Sequence, residues 1–91
     1  MFTLVWSPAF VRSAEKFLRR HPDLRSKFAE VLRDLERDPF QPHLKYHHLG
    51  GTLKGIQAVS ITVSHRITLT VVIVRQEVVL LDVGSHDEVY R

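Results

Sequence analysis

The chain has no cysteine among its 91 residues. Disulfides and cysteine-ligated zinc are thereby excluded as ways of holding a small fold together, and a cytoplasmic protein is expected. No apolar run approaches the length of a membrane span, so no membrane partner is expected. The opening "MFTLVWSPAF" lacks a basic leader and a small-residue cleavage site, and it reads as part of the fold. Glycine and proline are scarce, four of each, so each one marks a break. No internal repeat, low-complexity tract or linker is visible. Residues 1–91 read as one domain, near the lower end of autonomous folding.

The most informative absence is of acids. From Pro39 to Gln76 there is no Asp or Glu, while the same stretch carries Lys45, Lys54, Arg66, Arg75 and four of the six histidines. The net charge is only +3, so the distribution matters more than the total. A basic, acid-free segment suits a polyanion.

The pattern of elements is α+β. "FTLVW" is β-branched and aromatic and reads as a strand. Ser7 then suits an N-cap and Pro8 the first helical position. Phe10, Ala14, Phe17 and Leu18 follow at helical spacing, and Pro22 ends that helix. A second helix is expected from about Asp23 to Arg37, with Leu24, Phe28, Val31, Leu32 and Leu35 as its apolar stripe. Glu30 and Asp34 are expected to pair with Lys27 and Arg33. Three strand-like runs come next, "GIQAVSITV", "HRITLTVVIV" and "EVVLLDV", with Arg75 and Gln76 as a tight connection between the last two. The expected architecture is an N-terminal strand, an antiparallel helical hairpin, and a mainly antiparallel sheet whose one face the hairpin covers.

Three places concentrate chemistry. "KYHHLGGTLKG" puts Lys45, His47, His48 and Lys54 around glycines. In an extended chain Lys45 and His47 point one way, Tyr46 and His48 the other. A histidine beside lysines is a workable acid–base centre with phosphate-binding charge next to it; singly, each is an ordinary solvated loop residue. Adjacent histidines diverge, no acid is near in sequence and no helical His-x-x-x-His pair exists, so no metal site is expected. Gly50, Gly51 and Gly55 match no nucleotide-binding fingerprint. In "SHRITLTV", alternation puts Ile67, Leu69, Val71 and Ile73 on one face, with Arg66, Thr68 and Thr70 on an open, basic one. In "GSHDEVYR", antiparallel pairing brings residues 84–90 near Arg66. Asp87 and Glu88 either cap a short helical turn or stay solvated. Tyr90 either packs or joins the chemistry.

The element order, "HHLGGTLKG" before the sheet, "HRI" opening a central strand and the closing "DVGSHDEVY" together resemble the RelE/ParE superfamily of bacterial type II toxins. Within it, the similarity is greatest to the YafQ-like and plasmid-stabilisation branch. The resemblance covers nearly the whole chain. It implies a metal-independent, cofactor-free endoribonuclease that cuts mRNA in the ribosomal A site and is neutralised by a cognate antitoxin. The RNA's own 2′-OH would be the nucleophile. By motif position His47 and His86 would be catalytic histidines, Tyr90 the closing aromatic, and Arg66 the arginine of the central strand. Lys45, Lys54, His48 and Arg75 would contact RNA phosphate. Ser60 and Ser64 stand where a His and an Asp are common in that branch. His65 stands where an aromatic is frequent; it would supply an imidazole or stack on a base. A gyrase-binding toxin without nuclease chemistry and an inactive antitoxin-binding relative are the alternatives on the same fold.

Overall fold

The computed structural model describes residues 1–90. The elements run β1 Thr3–Trp6, α1 Pro8–Arg20, α2 Arg25–Arg37, β2 His47–His48, β3 Gln57–Ser60, β4 His65–Val72, β5 Glu77–Ser85 and α3 His86–Val89. The expected α+β order is present. The five strands form one sheet in the order β1-β5-β4-β3-β2. β1 lies parallel to β5, and the other neighbours are antiparallel.

Local chemistry explains the helix boundaries. The Ser7 hydroxyl accepts the Phe10 N–H at 3.1 Å, and Pro8 occupies the first turn, where its missing N–H costs nothing. Arg19 and Arg20 close α1 where the helix dipole favours cations. A single 3₁₀ turn, Pro22–Leu24, then reverses the chain, so α2 starts at Arg25 rather than at Asp23. Asp34 pairs with His43 at 2.8 Å, and Lys27 with Glu30 at 3.7 Å. The fold brings His43 back over α2, which a local pairing scheme for Asp34 does not anticipate.

Both helices bury their stripes on one face of the sheet. Phe10, Phe17, Phe28, Val31 and Leu35 join Ile67, Leu69, Val78, Leu80 and Val83 in one cluster. Full burial of each such side chain contributes roughly 1.5–3 kcal/mol. Phe28 stacks between Phe10 and Phe17, with centroids at 6.2 and 5.9 Å, and so joins α2 to α1.

Two strand expectations are corrected. The β4–β5 connection is not a two-residue turn at Arg75 and Gln76. β4 ends at Val72, Ile73–Arg75 form a 3₁₀ turn, and Gln76 takes a left-handed conformation at φ 50°. Without an Asn-Gly pair the chain uses a longer loop, and Ile73 leaves the core face. The far face of the sheet is not fully open either. Thr68 is only 4% exposed, and Ala58 and Val89 are buried outside the main cluster. Ala58 lies opposite Thr68 in register, and α3 packs back on β4 and β5. The C-terminal turn thus covers part of the face on which Arg66 lies.

Candidate active site

His47 stands on β2, opposite Ala58 of β3, which in turn lies opposite Thr68 of β4. Its side chain is held at both nitrogens. Nδ1 is 2.9 Å from the Lys45 carbonyl, and Nε2 is 3.3 Å from the Tyr90 hydroxyl. A carbonyl only accepts, so Nδ1 carries the proton. In the neutral ring Nε2 is then the acceptor, and Tyr90 donates to it. The exposed nitrogen is therefore the basic one. Lys45 presents its carbonyl from a left-handed conformation, φ 55°, at the end of the 3₁₀ turn Pro42–Leu44. For a non-glycine residue that geometry is uncommon, and here it orients the imidazole. It also ends the simple alternation that was expected to set Lys45 beside His47.

The last six described residues arrive by a sharp reversal. Ser85 caps α3: its hydroxyl accepts the Glu88 N–H at 3.3 Å, while the Glu88 carboxylate accepts the Ser85 N–H at 2.8 Å. This reciprocal capping box satisfies two donors at once. The Ser85 N–H, then its hydroxyl, hold the Glu88 carboxyl below the usual range, with Arg20 and Lys16 adding to the effect. Arg20 of α1 meets the same carboxylate at 3.3 Å. A Cβ at Gly84 would lie 2.9 Å from Glu88 Oε1 and 3.3 Å from its Cβ, so a larger residue there would shift the Glu88 side chain. The turn sets the His86 ring edge-on to Tyr90, with centroids 4.2 Å apart. His86, Tyr90 and His47 are thus contiguous.

Arg66 lies on the same face, opposite Ser60 and Gly84. Its Nη1 donates to Ser60 Oγ at 3.2 Å and to the Thr62 carbonyl at 3.4 Å. Ser60 thereby fixes this guanidinium. Ser64 contributes its carbonyl, which accepts the His86 N–H at 3.2 Å.

Four of the predicted residues lie elsewhere. His65 points to the helix face, its ring 5.5 Å from Phe17 and 4.7 Å from His21, and its Nδ1 is 2.8 Å from Thr62 Oγ1. Burial, then neighbouring His21, lower its pKa from the usual histidine value. Strand alternation explains the separation: His65 and Arg66 are adjacent and so face opposite ways. His48 likewise turns away from His47, to a ring contact with Tyr46 at 5.6 Å. Arg75 sits in the β4–β5 loop, at the opposite end of that hairpin from Arg66 and Gly84. Lys54 caps the 3₁₀ turn Gly51–Leu53 in the loop between β2 and β3. No cluster of three or more potential metal ligands occurs among the described residues.

Two supports of the site were not anticipated, the Arg20–Glu88 ion pair and the Ser13–Asp82 pair. The Ser13 hydroxyl of α1 donates to the Asp82 carboxylate and accepts the Val83 N–H at 3.3 Å, closing β5 beyond the end of β1. "SHDE" does carry the Ser-x-x-Glu capping pattern, whereas nothing local marks Ser13 or Arg20.

No family model matches the chain, and no curated protein matches it significantly. Solved structures do. YafQ from E. coli superposes with a TM-score of 0.82 at 15% identity, covering 100% of both chains. A copper-bound mutant toxin from Helicobacter pylori gives 0.79 at 27% identity, covering 99% of this chain and 100% of that one. The toxin–antitoxin complex RelBE2 from Mycobacterium tuberculosis gives 0.70 at 21% identity, over 93% and 98%. The parallel β1, the helical hairpin, the antiparallel remainder of the sheet and these end-to-end superpositions show that the chain has the fold of the YafQ, Helicobacter pylori and RelBE2 toxins.

Proposed function

We propose that the chain is a type II toxin that cleaves mRNA on the ribosome without a metal ion, and that a cognate antitoxin silences it. One observation carries this reading: His47, Tyr90 and His86 converge on a partly exposed face beside Arg66. The RNA 2′-OH displaces the exposed Tyr90 hydroxyl at His47 Nε2, and the Nε2 lone pair takes its proton. The 2′ oxygen bonds to the adjacent phosphorus, and the bond from phosphorus to the 5′ oxygen breaks. A 2′,3′-cyclic phosphate and a 5′-OH result. The proton for the leaving oxygen comes from His86 as its imidazolium. Tyr90 lies between the two imidazoles and orients both. Arg66, pinned by Ser60 and the turn after it, offers its remaining N–H groups to the charge that builds on the phosphoryl oxygens.

The antitoxin part of the reading draws on the RelBE2 complex, in which a related toxin is bound by its antitoxin. Induced expression in bacteria with 5′-end mapping of transcripts tests the whole reading. In-frame cuts that vanish when translation is blocked are expected. Intact transcripts in arrested cells would overturn the nuclease.

A further inference from the structure

Two cavities of different character flank the sheet. The larger, about 380 Å³, lies over α1 and contains Lys16, Arg20 and His21, but also the carboxylates of Asp82 and Glu88. Its Arg20 is already engaged by Glu88. The smaller, about 240 Å³, opens at the sheet edge where β2 has ended and β3 continues. Lys27 of α2, Lys45 and Arg66 ring it; Lys27 has only a long, exposed contact with Glu30 at 3.7 Å, and no carboxylate is among the described lining residues. Its floor is apolar, made of Val31, Leu44 and Ile61, all 3% exposed or less. His43 forms a wall and is itself held by Asp34.

A cationic rim over an apolar floor is the complement of a nucleotide: the base or ribose covers the floor, and phosphate meets the rim. The volume lies below the roughly 300–1,000 Å³ of sites for larger ligands, so it suits one nucleotide unit. Its place is specific. Lys45 lines the pocket while its backbone carbonyl accepts the hydrogen bond of His47 Nδ1–H, and Arg66 belongs to the pocket and to the His47 face. Val63, on the rim, is 91% exposed, an apolar surface that a base can cover.

We propose that this edge pocket is a nucleotide subsite that takes the RNA residue flanking the cleaved bond, with Lys27 as a phosphate contact. The assignment rests on the nuclease reading above for its place on the RNA, but not for the binding itself.

Nuclear magnetic resonance titration with a 2′-O-methylated, uncleavable RNA trinucleotide separates the two. Amide shifts at Lys27, Leu44 and Val63 are expected together with those at His47 and Tyr90. Lys27→Ala should weaken binding several-fold and lower the log–log salt slope by about 0.7, the value for one phosphate contact on a single strand. Shifts confined to His47 and Tyr90 would overturn the subsite and leave the nuclease standing. Shifts in the pocket from a chain that cuts no transcript would uphold the subsite and remove the nuclease. An equal response to a glutamate-rich peptide of the same charge would make the pocket a surface for an acidic protein segment and overturn the assignment, as would the absence of any shift.

Discussion

The two faces of the sheet each carry a pair of histidines, and the pairs differ in every respect except residue type. On the helix face His21 and His65 pack edge to face at 4.7 Å, with Phe17 behind them. Burial lowers the pKa of His65, so its neutral form is favoured and its ring serves as a small aromatic. On the other face His47 and His86 are separated by Tyr90; the nitrogens of His47 meet a carbonyl and a hydroxyl, and Nδ1 of His86 lies 3.7 Å from the exposed Asp87 carboxylate. The lesson is that an imidazole becomes useful when its basic nitrogen lies at the surface, here against an exposed and exchangeable hydroxyl. Closeness of two histidines alone does not achieve this.

The sharpest way to break the comparison is to remove one ring from each face. His47→Gln should lower the single-turnover rate of RNA cleavage by about 10²–10⁴, the usual worth of a general base, with little change in melting temperature. His65→Phe should leave that rate within about twofold. Equal losses from both variants would erase the distinction between the faces.

Phe17→Ala should do the reverse. It leaves a cavity beneath His21 and His65 and should cost about 3–5 kcal/mol of stability in urea denaturation. Cleavage per folded molecule should be unchanged. A variant that is stable but inactive would mean that the helix face carries the chemistry.

Tyr90→Phe sharpens the account of the active face. It deletes the hydroxyl that meets His47 but keeps the ring against His86. Because the bond is exposed, its loss should cost no more than about 1 kcal/mol, read as a cleavage rate several-fold lower. A loss as large as that of His47→Gln would promote Tyr90 from orienting group to proton carrier.

The smallest effect is the pH dependence of stability. The folded pKa of His65 lies below its unfolded value, so the unfolded chain binds more protons in that window. Stability from this group is complete above the unfolded value, about 6.5. It is lost as pH falls from there through the lowered folded value. Chemical denaturation from pH 7.5 to 5 should show this decline, and His65→Phe should flatten it. An unchanged slope in that variant would assign the decline to other groups.

Much of this was legible in the chain. Ser7 and Pro8 announced α1, the stripe from Phe28 to Leu35 announced α2, and the terminal "GSHDEVY" marked the segment of the candidate site. Period-two alternation also put Tyr46 and His48 opposite His47. The same alternation that sets Arg66 and Thr68 opposite Ile67 and Leu69 also separates His65 from Arg66. The β4–β5 loop was misread because "RQ" carries no turn signal. The real device, Gln76 at positive φ, is one that only the closing of the hairpin selects.

The sequence by itself determined the element order, the two faces of the helical hairpin and the acid-free stretch, because these follow from short-range periodicity and composition. Tertiary structure decided which histidines meet. His47 and Tyr90 are joined only because β2 pairs with β3 while α3 folds back over β4 and β5. Arg20 reaches Glu88 across 68 positions because α1 packs on β5. Such contacts depend on strand order and register, which are fixed by the burial of the whole core and not by any local run of residues.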